Sequence, residues 1–199
     1  MPHYPPSILQ LIQSFARLPG VGNKTAERLA LYILGAPRKE AEKLARRILA
    51  VKEKTRLCRL CFSLSDGELC RLCSDPGRDR SMVCVVEHPA DMVSIEKSGA
   101  WNGLYHILQG ALSPVDGIGP DALRIRELEA RISQEEIKEI VLATGTSTEG
   151  ESTASFLAQL LARYSVKVTR IASGVPMGGD LKYIDQVTLG KAMQSRHGM

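Results

Sequence analysis

Several features are missing from this 199-residue sequence, and each absence removes a class of function. No apolar run approaches the ~20 residues that a membrane-crossing helix needs. The opening MPHYPPS lacks the basic-then-apolar pattern of a secretion signal, so a cytoplasmic location is the expectation. There is no internal repeat and no low-complexity tract. The phosphate loop G-x-x-x-x-G-K-[ST] is absent as well. The apolar-then-acidic LKYID at 181–185, which has the flavour of a Walker B strand, therefore does not support ATP hydrolysis.

Net charge is small, +4 in total, but it is unevenly spread. Residues 1–80 carry 15 Lys and Arg against 8 Asp and Glu, whereas residues 81–199 carry 11 against 14. A basic front end suits a polyanionic partner, and it is equally the mark of solvated basic helices. At ~100–200 residues per domain the chain holds one domain or a few small ones.

Periodicity divides it. Ile8, Leu11, Ile12 and Phe15 recur at helical spacing. Pro19-Gly20-Val21-Gly22 follows, and then Ala26, Leu29, Ala30 and Ile33 at the same spacing, which predicts helix, tight turn, helix. A third helix is expected from about Arg38 to Lys54, burying Ala41, Leu44, Ala45, Ile48 and Leu49 and exposing its charges. Residues 57–78 have little periodicity and must be held by something other than a core. From Ser81 the texture changes, predicting strands at 82–87, 103–109, 138–144 and 166–172 and helices at 90–98, 121–132 and 151–164. Strands alternating with helices imply a mostly parallel sheet with helices packed on it. The last stretch is Gly-rich and then weakly helical.

Three groups of residues carry chemistry. In the turn, Gly20 and Gly22 let the backbone approach a phosphate at the start of the second helix, and Lys24 and Arg28 share one face of that helix. This resembles the helix-hairpin-helix motif of non-specific DNA-binding proteins. The plainer reading is a turn that only joins two core helices. Cys58, Cys61, Cys70 and Cys73 form C-x2-C-x8-C-x2-C, two knuckles that close a tetrahedron around a structural Zn²⁺ with no open position. The alternatives are redox pairs or idle thiols. Cys84, within Met-Val-Cys-Val-Val, is expected in the core. The third group is Glu87, at the end of the first strand of the α/β region, with Glu149 and Glu151 after the third. Ligand sites form at the carboxyl ends of such strands, so the two segments should share a crevice.

That arrangement resembles the Toprim domain of topoisomerases, primases and some nucleases, in which a glutamate and a D-x-D pair hold Mg²⁺. Here the two aspartate places are Gly145 and Ser147, which cannot replace an ion's water shell. Glu149 and Glu151 are read as helix-start charges in preference to metal ligands. With Glu87 they stay candidates for partner contact or weak Mg²⁺. A divergent Mg-dependent Toprim nuclease, primase or topoisomerase is the alternative function. His88 is read as a polar loop residue, and Arg124, Arg126, Glu127 and Glu129 as a solvated helix face.

The whole order, including CVVEHPAD, LSPVDGIGPD and RIASGVPMGGDLKYIDQVTL, resembles the RecR family of bacterial recombination mediators. That resemblance implies a multidomain α plus α/β protein. Its parts would be a helix-hairpin-helix DNA-binding domain (1–53), a C4 zinc finger (54–78), a Toprim domain with a mostly parallel sheet (79–176) and a short C-terminal segment (177–199). It further implies a non-enzymatic mediator in DNA repair, with one structural Zn²⁺ on the four cysteines. Partners would be RecO, RecF and DNA, the last held at its backbone without regard to sequence by Lys24 and Arg28. Dimers would pair into a ring-shaped clamp, and Glu87 and its neighbours would lie in a region that meets RecO. Where family members commonly show Asn-Pro-Thr-Val, this chain has Gly145-Thr-Ser-Thr148.

Overall fold

The computed structural model describes residues 3–196, which fall into two compact units, up to Thr55 and from Arg56 onward. The first is helical. Helix α1 (Pro6–Ala16) opens with proline at its first position, where a missing N–H costs nothing. Helix α2 (Asn23–Gly35) stops one residue before the Ala36-Pro37 step, and α3 (Arg38–Lys54) starts directly after it. Ile8 and Ile12 of α1 meet Ala26 and Ala30 of α2, with Leu11, Phe15 and Val21 packed around them. The Tyr4 hydroxyl donates to Glu27 Oε1 at 2.8 Å and ties the start of the chain to α2.

Here one expectation fails. Helix α3 has the predicted span, but it buries none of its apolar residues: Leu44 is 43% exposed, Ile48 57% and Leu49 60%, and Ala45 is exposed and Ala41 half-exposed. Leu29 of α2, also placed on the core face, is 37% exposed. The apolar stripe is helical as its spacing predicts, but periodicity says only that a face wants cover, and these residues stay exposed.

The second unit begins with a hairpin of β1 (Arg56–Leu57) and β2 (Leu64–Ser65), followed by the short helix α4 (Arg71–Ser74). Then come β3 (Asp79–Val86), α5 (Pro89–Ser98), β4 (Gly103–Ile107), α6 (Ile125–Gln134), β5 (Glu139–Leu142), α7 (Thr148–Leu161), β6 (Lys167–Arg170) and α8 (Gln186–Gln194). The four longer strands form one parallel sheet in the order β4-β3-β5-β6. All four lie where the sequence predicts them. Helix α7 starts earlier than expected, because Ser147 caps it by accepting the Gly150 N–H at 3.1 Å.

Alternation along β3 sorts the core. Val83 and Val85 face one way and join Leu104, Ile140 and Leu142 with Leu128 of α6 and Leu157 and Leu161 of α7. Cys84 and Val86 face the other way, with Tyr105, Ile107, Met92 of α5 and the four paired cysteines. One face of the sheet is thus covered by helices and the other partly by the cysteine module, so Cys84 is a core residue as expected. The stretch LKYID is no strand: it makes a single 3₁₀ turn, and Asp185 caps α8 by accepting the Thr188 N–H at 2.9 Å. Among the described residues no helix is long and apolar enough to cross a membrane.

Candidate functional site

The turn between α1 and α2 is closed by Leu18 N–H to Phe15 O and Val21 N–H to Leu18 O, at 3.0 and 3.1 Å. Gly20 holds φ at +77°, a conformation a side chain would strain. Gly22 starts α2 in extended conformation with no side chain capping the helix, and the first turn carries no acidic residue. The N–H groups of that turn are therefore left to an outside acceptor, in the positive field of the helix start. Lys24 and Arg28 are both exposed, and the neighbouring Glu27 is engaged by Tyr4. The predicted residues of the first group thus come together on one small, open, positive surface.

The four cysteines converge as well. Their sulfurs lie within 4.8 Å of one another, all buried, and Cys61 Sγ is 3.5 Å from Cys70 Sγ. A tetrahedron with Zn–S bonds of about 2.3 Å has edges of about 3.8 Å, so the donors are spaced for one zinc ion. Two backbone groups steady the sulfurs. The Cys70 N–H donates to Cys58 Sγ at 3.3 Å and the Ser63 N–H to Cys61 Sγ at 3.5 Å. Packed this close, the thiols divide: contact with Cys61 and then Cys73 holds Cys70 far below its ordinary range, while contact with Cys70 pushes Cys61 up and contact with Cys61 and Cys70 pushes Cys73 up.

This module is joined to the sheet. Ile107 N–H donates to Cys61 O at 2.9 Å and Gln109 Nε2 to Phe62 O at 2.5 Å. Phe62 follows the first knuckle with φ at +62°, an unusual backbone for a bulky residue. Its ring lies edge-on to His106 at 5.3 Å and under the Arg124 guanidinium at 5.2 Å. Arg124 also pairs with Glu127 at 2.7 Å, so it does more than solvate a helix face. Neither Phe62 nor Gln109 carries a signal in the sequence, since both act through a contact between distant segments.

At the carboxyl end of the sheet Glu87 and the 144–151 loop do meet, but as a closed hydrogen-bonded knot. Glu87 Oε1 accepts the Gly145 N–H at 2.7 Å, and Thr144 Oγ1 donates to Gly150 O at 2.7 Å. At Gly150 a Cβ would stand 2.4 Å from Gly145 O and 2.8 Å from Glu87 Oε1, so the loop folds this tightly only around glycine. Glu149 and Glu151 lie in the first turn of α7. Two cations with no signal in the sequence complete the site. Arg170, ending β6, donates to Leu142 O and Gly145 O, each at 2.9 Å, and lies 3.8 Å from Glu151. Lys191 of α8 reaches Glu151 at 3.1 Å. Among the described residues the only acidic, histidine or cysteine group spaced for one metal ion is the cysteine cluster. Of the crevice carboxylates, Glu87 accepts a backbone N–H and Glu151 pairs with two cations. His88, beside Glu87, starts α5, its N–H donating to Asp91 Oδ2 at 2.8 Å.

Family models match consecutive segments of the chain. They are described as the RecR helix-hairpin-helix (residues 8–52), the RecR zinc finger domain of four cysteines (55–75), the Toprim domain (81–172) and the RecR C-terminal segment (174–197). Recombination protein RecR of Desulforapulum autotrophicum is 60% identical, with 98% of each chain covered. The chain belongs to the RecR family. Proteins of the same name from Desulfatibacillum aliphaticivorans and Moorella thermoacetica are 58% and 52% identical, covering 99% and 98% of each chain respectively. The RecR cysteine module is a four-cysteine zinc finger whose buried thiols are placed to bind one metal ion.

Proposed function

We propose that the chain is a recombination mediator in DNA repair, a protein that holds DNA without reacting with it. In this reading it acts with RecO and RecF to help load the recombinase on gapped single-stranded DNA. The observation that carries it is the α1–α2 turn: an uncapped helix start, glycine-shaped and open, flanked by the exposed Lys24 and Arg28. Such a surface binds phosphates and carries nothing that reads a base. The four segments 1–53, 54–78, 79–176 and 177–199 are its working parts. Glu87, Glu149 and Glu151 serve to shape or present the Toprim loop to a partner, and the site acts in the cytoplasm.

Assembly into dimers and then a ring is part of this reading. It is supported by the uncovered apolar residues of the first unit, among them Tyr32 and Leu34 of α2 with Ile48, Leu49 and Val51 of α3. An apolar surface of that kind marks an interface. Each turn offers few phosphate contacts, and several copies on one ring raise avidity by effective concentration without any new contact type.

Binding of labelled oligonucleotides across a salt series tests the reading. Lys24→Ala with Arg28→Ala should weaken binding evenly over sequences and make the slope of log K against log[salt] shallower by about 1.4–1.8, for two phosphate contacts. Unchanged affinity and slope would sink it.

A further inference from the structure

Helix α3 carries a second charge pattern that the hairpin turn does not use. Lys39, Lys43 and Arg47 follow one another at four-residue intervals, and Lys54 continues the row seven residues further on. At 100° per residue the four fall within an arc of about 80°, and at 1.5 Å per residue the row is about 22 Å long. All four are exposed, and none has an ion-pair partner among the described residues. The nearby Glu42 is taken by Arg38 at 2.8 Å and by Arg46 at 4.0 Å.

The first three members of this row work against the helix that bears them. Like charges four residues apart destabilise a helix. Arg38 and Lys39 also place cations in the first turn, where the helix dipole favours anions, and Glu40 is the only acidic residue there. A face kept only for solubility would mix the two signs, as the flanking Glu40 and Glu42 show this helix can do. A cost borne by the fold and relieved by nothing inside it points to something outside. The recurring step along the row, about 6 Å for each four residues, suits a partner that presents negative charge at regular short intervals along a line. A nucleic-acid strand does so, with one phosphate per nucleotide.

We propose that the Lys39–Lys43–Arg47–Lys54 row is a second DNA-binding surface, contacting the sugar-phosphate backbone of a strand beyond the reach of the α1–α2 turn. The inference rests on the DNA-binding reading of that turn, and it adds a separate set of contacts along α3.

The test uses the full chain and fluorescence anisotropy with a labelled single-stranded oligonucleotide and its duplex, over a salt series. Four proteins are compared: wild type, Lys24→Ala/Arg28→Ala, Lys39→Gln/Lys43→Gln/Arg47→Gln, and a control triple Lys52→Gln/Lys97→Gln/Lys138→Gln that removes the same charge elsewhere. The row variant should show a salt slope shallower by about 2 on the single strand and about 2.7 on the duplex, while the control keeps the wild-type slope. Because the row opposes its own helix, removing it should leave helical circular dichroism and thermal midpoint unchanged or raised, so lost binding cannot be laid to unfolding. A row variant that binds like wild type, with the turn variant impaired, overturns the row and leaves the turn. Wild-type binding by both variants overturns both. Equal flattening by the control triple overturns the row in favour of bulk charge.

Discussion

His106, on the edge strand β4, has no exposed surface, its Nε2 2.6 Å from Arg124 O and its Nδ1 without a partner among the described residues. Burial, reinforced by the Arg131 cation, lowers its pKa to about 4 from an ordinary 6.5. Between those values the unfolded chain binds the proton and the folded chain refuses it. The stability this residue protects is therefore fully present above about pH 6.5 and is lost as pH falls toward 4. The loss should reach about 3 kcal/mol. Urea midpoints at pH 7 and pH 4.5 should show it as an acid sensitivity that His106→Gln lacks. A variant with the same pH dependence as wild type would remove the effect. Any zinc lost to acid is common to both proteins and drops out of the comparison.

At the scale of elements, one charged tie does more than the others to seat α5 on the sheet. Arg78, at the start of the sheet, reaches Glu96 of α5 through both terminal guanidinium nitrogens, at 2.8 and 2.5 Å, and the Tyr105 hydroxyl of β4 donates to the same carboxylate at 2.7 Å. The Arg78 side chain is only 11% exposed. Glu96→Ala should cost about 3 kcal/mol, because it leaves a mostly buried cation with only Asp75 at 3.9 Å and the Trp101 and Gly103 carbonyls at 3.5 and 3.4 Å, whereas Arg78→Met with Glu96→Leu should cost clearly less. Equal losses in the two proteins, read from denaturant unfolding, would mean that the pair contributes through packing alone. Nothing in the sequence singles out this tie. The strands themselves are legible, since Met-Val-Cys-Val-Val is a β-branched run and the others are short apolar or β-branched stretches between helical segments. So are the cysteine knuckles and the glycine turn, whose chemistry lies in local spacing. Arg170, Lys191, Phe62 and Gln109 escaped because each matters only after the chain has returned to the same place. The burial expected for α3 failed for a related reason: a helical stripe records that a face is apolar, and not which molecule covers it.

At the scale of the whole molecule, that uncovered stripe becomes a prediction. If a second copy covers α3, charge placed in its middle should prevent assembly. Ile48→Glu with Leu49→Glu should shift the mass measured by light scattering from an oligomer toward a single chain while circular dichroism is kept, since neither side chain supports the core of its own unit. An unchanged mass would send the interface elsewhere. The cysteine module has a different reach. It lies against the face of the sheet made by Cys84, Val86, Tyr105 and Ile107, where a second layer of helices would otherwise be needed. A metal ion is thus a stand-in for part of that layer, and its departure would leave the part of the sheet's underside that α5 does not cover without a roof. Supply of the ion would then govern how much sticky surface the protein presents to its surroundings, so that a cell short of zinc would see this chain first as a solubility problem and only afterwards as a missing repair function.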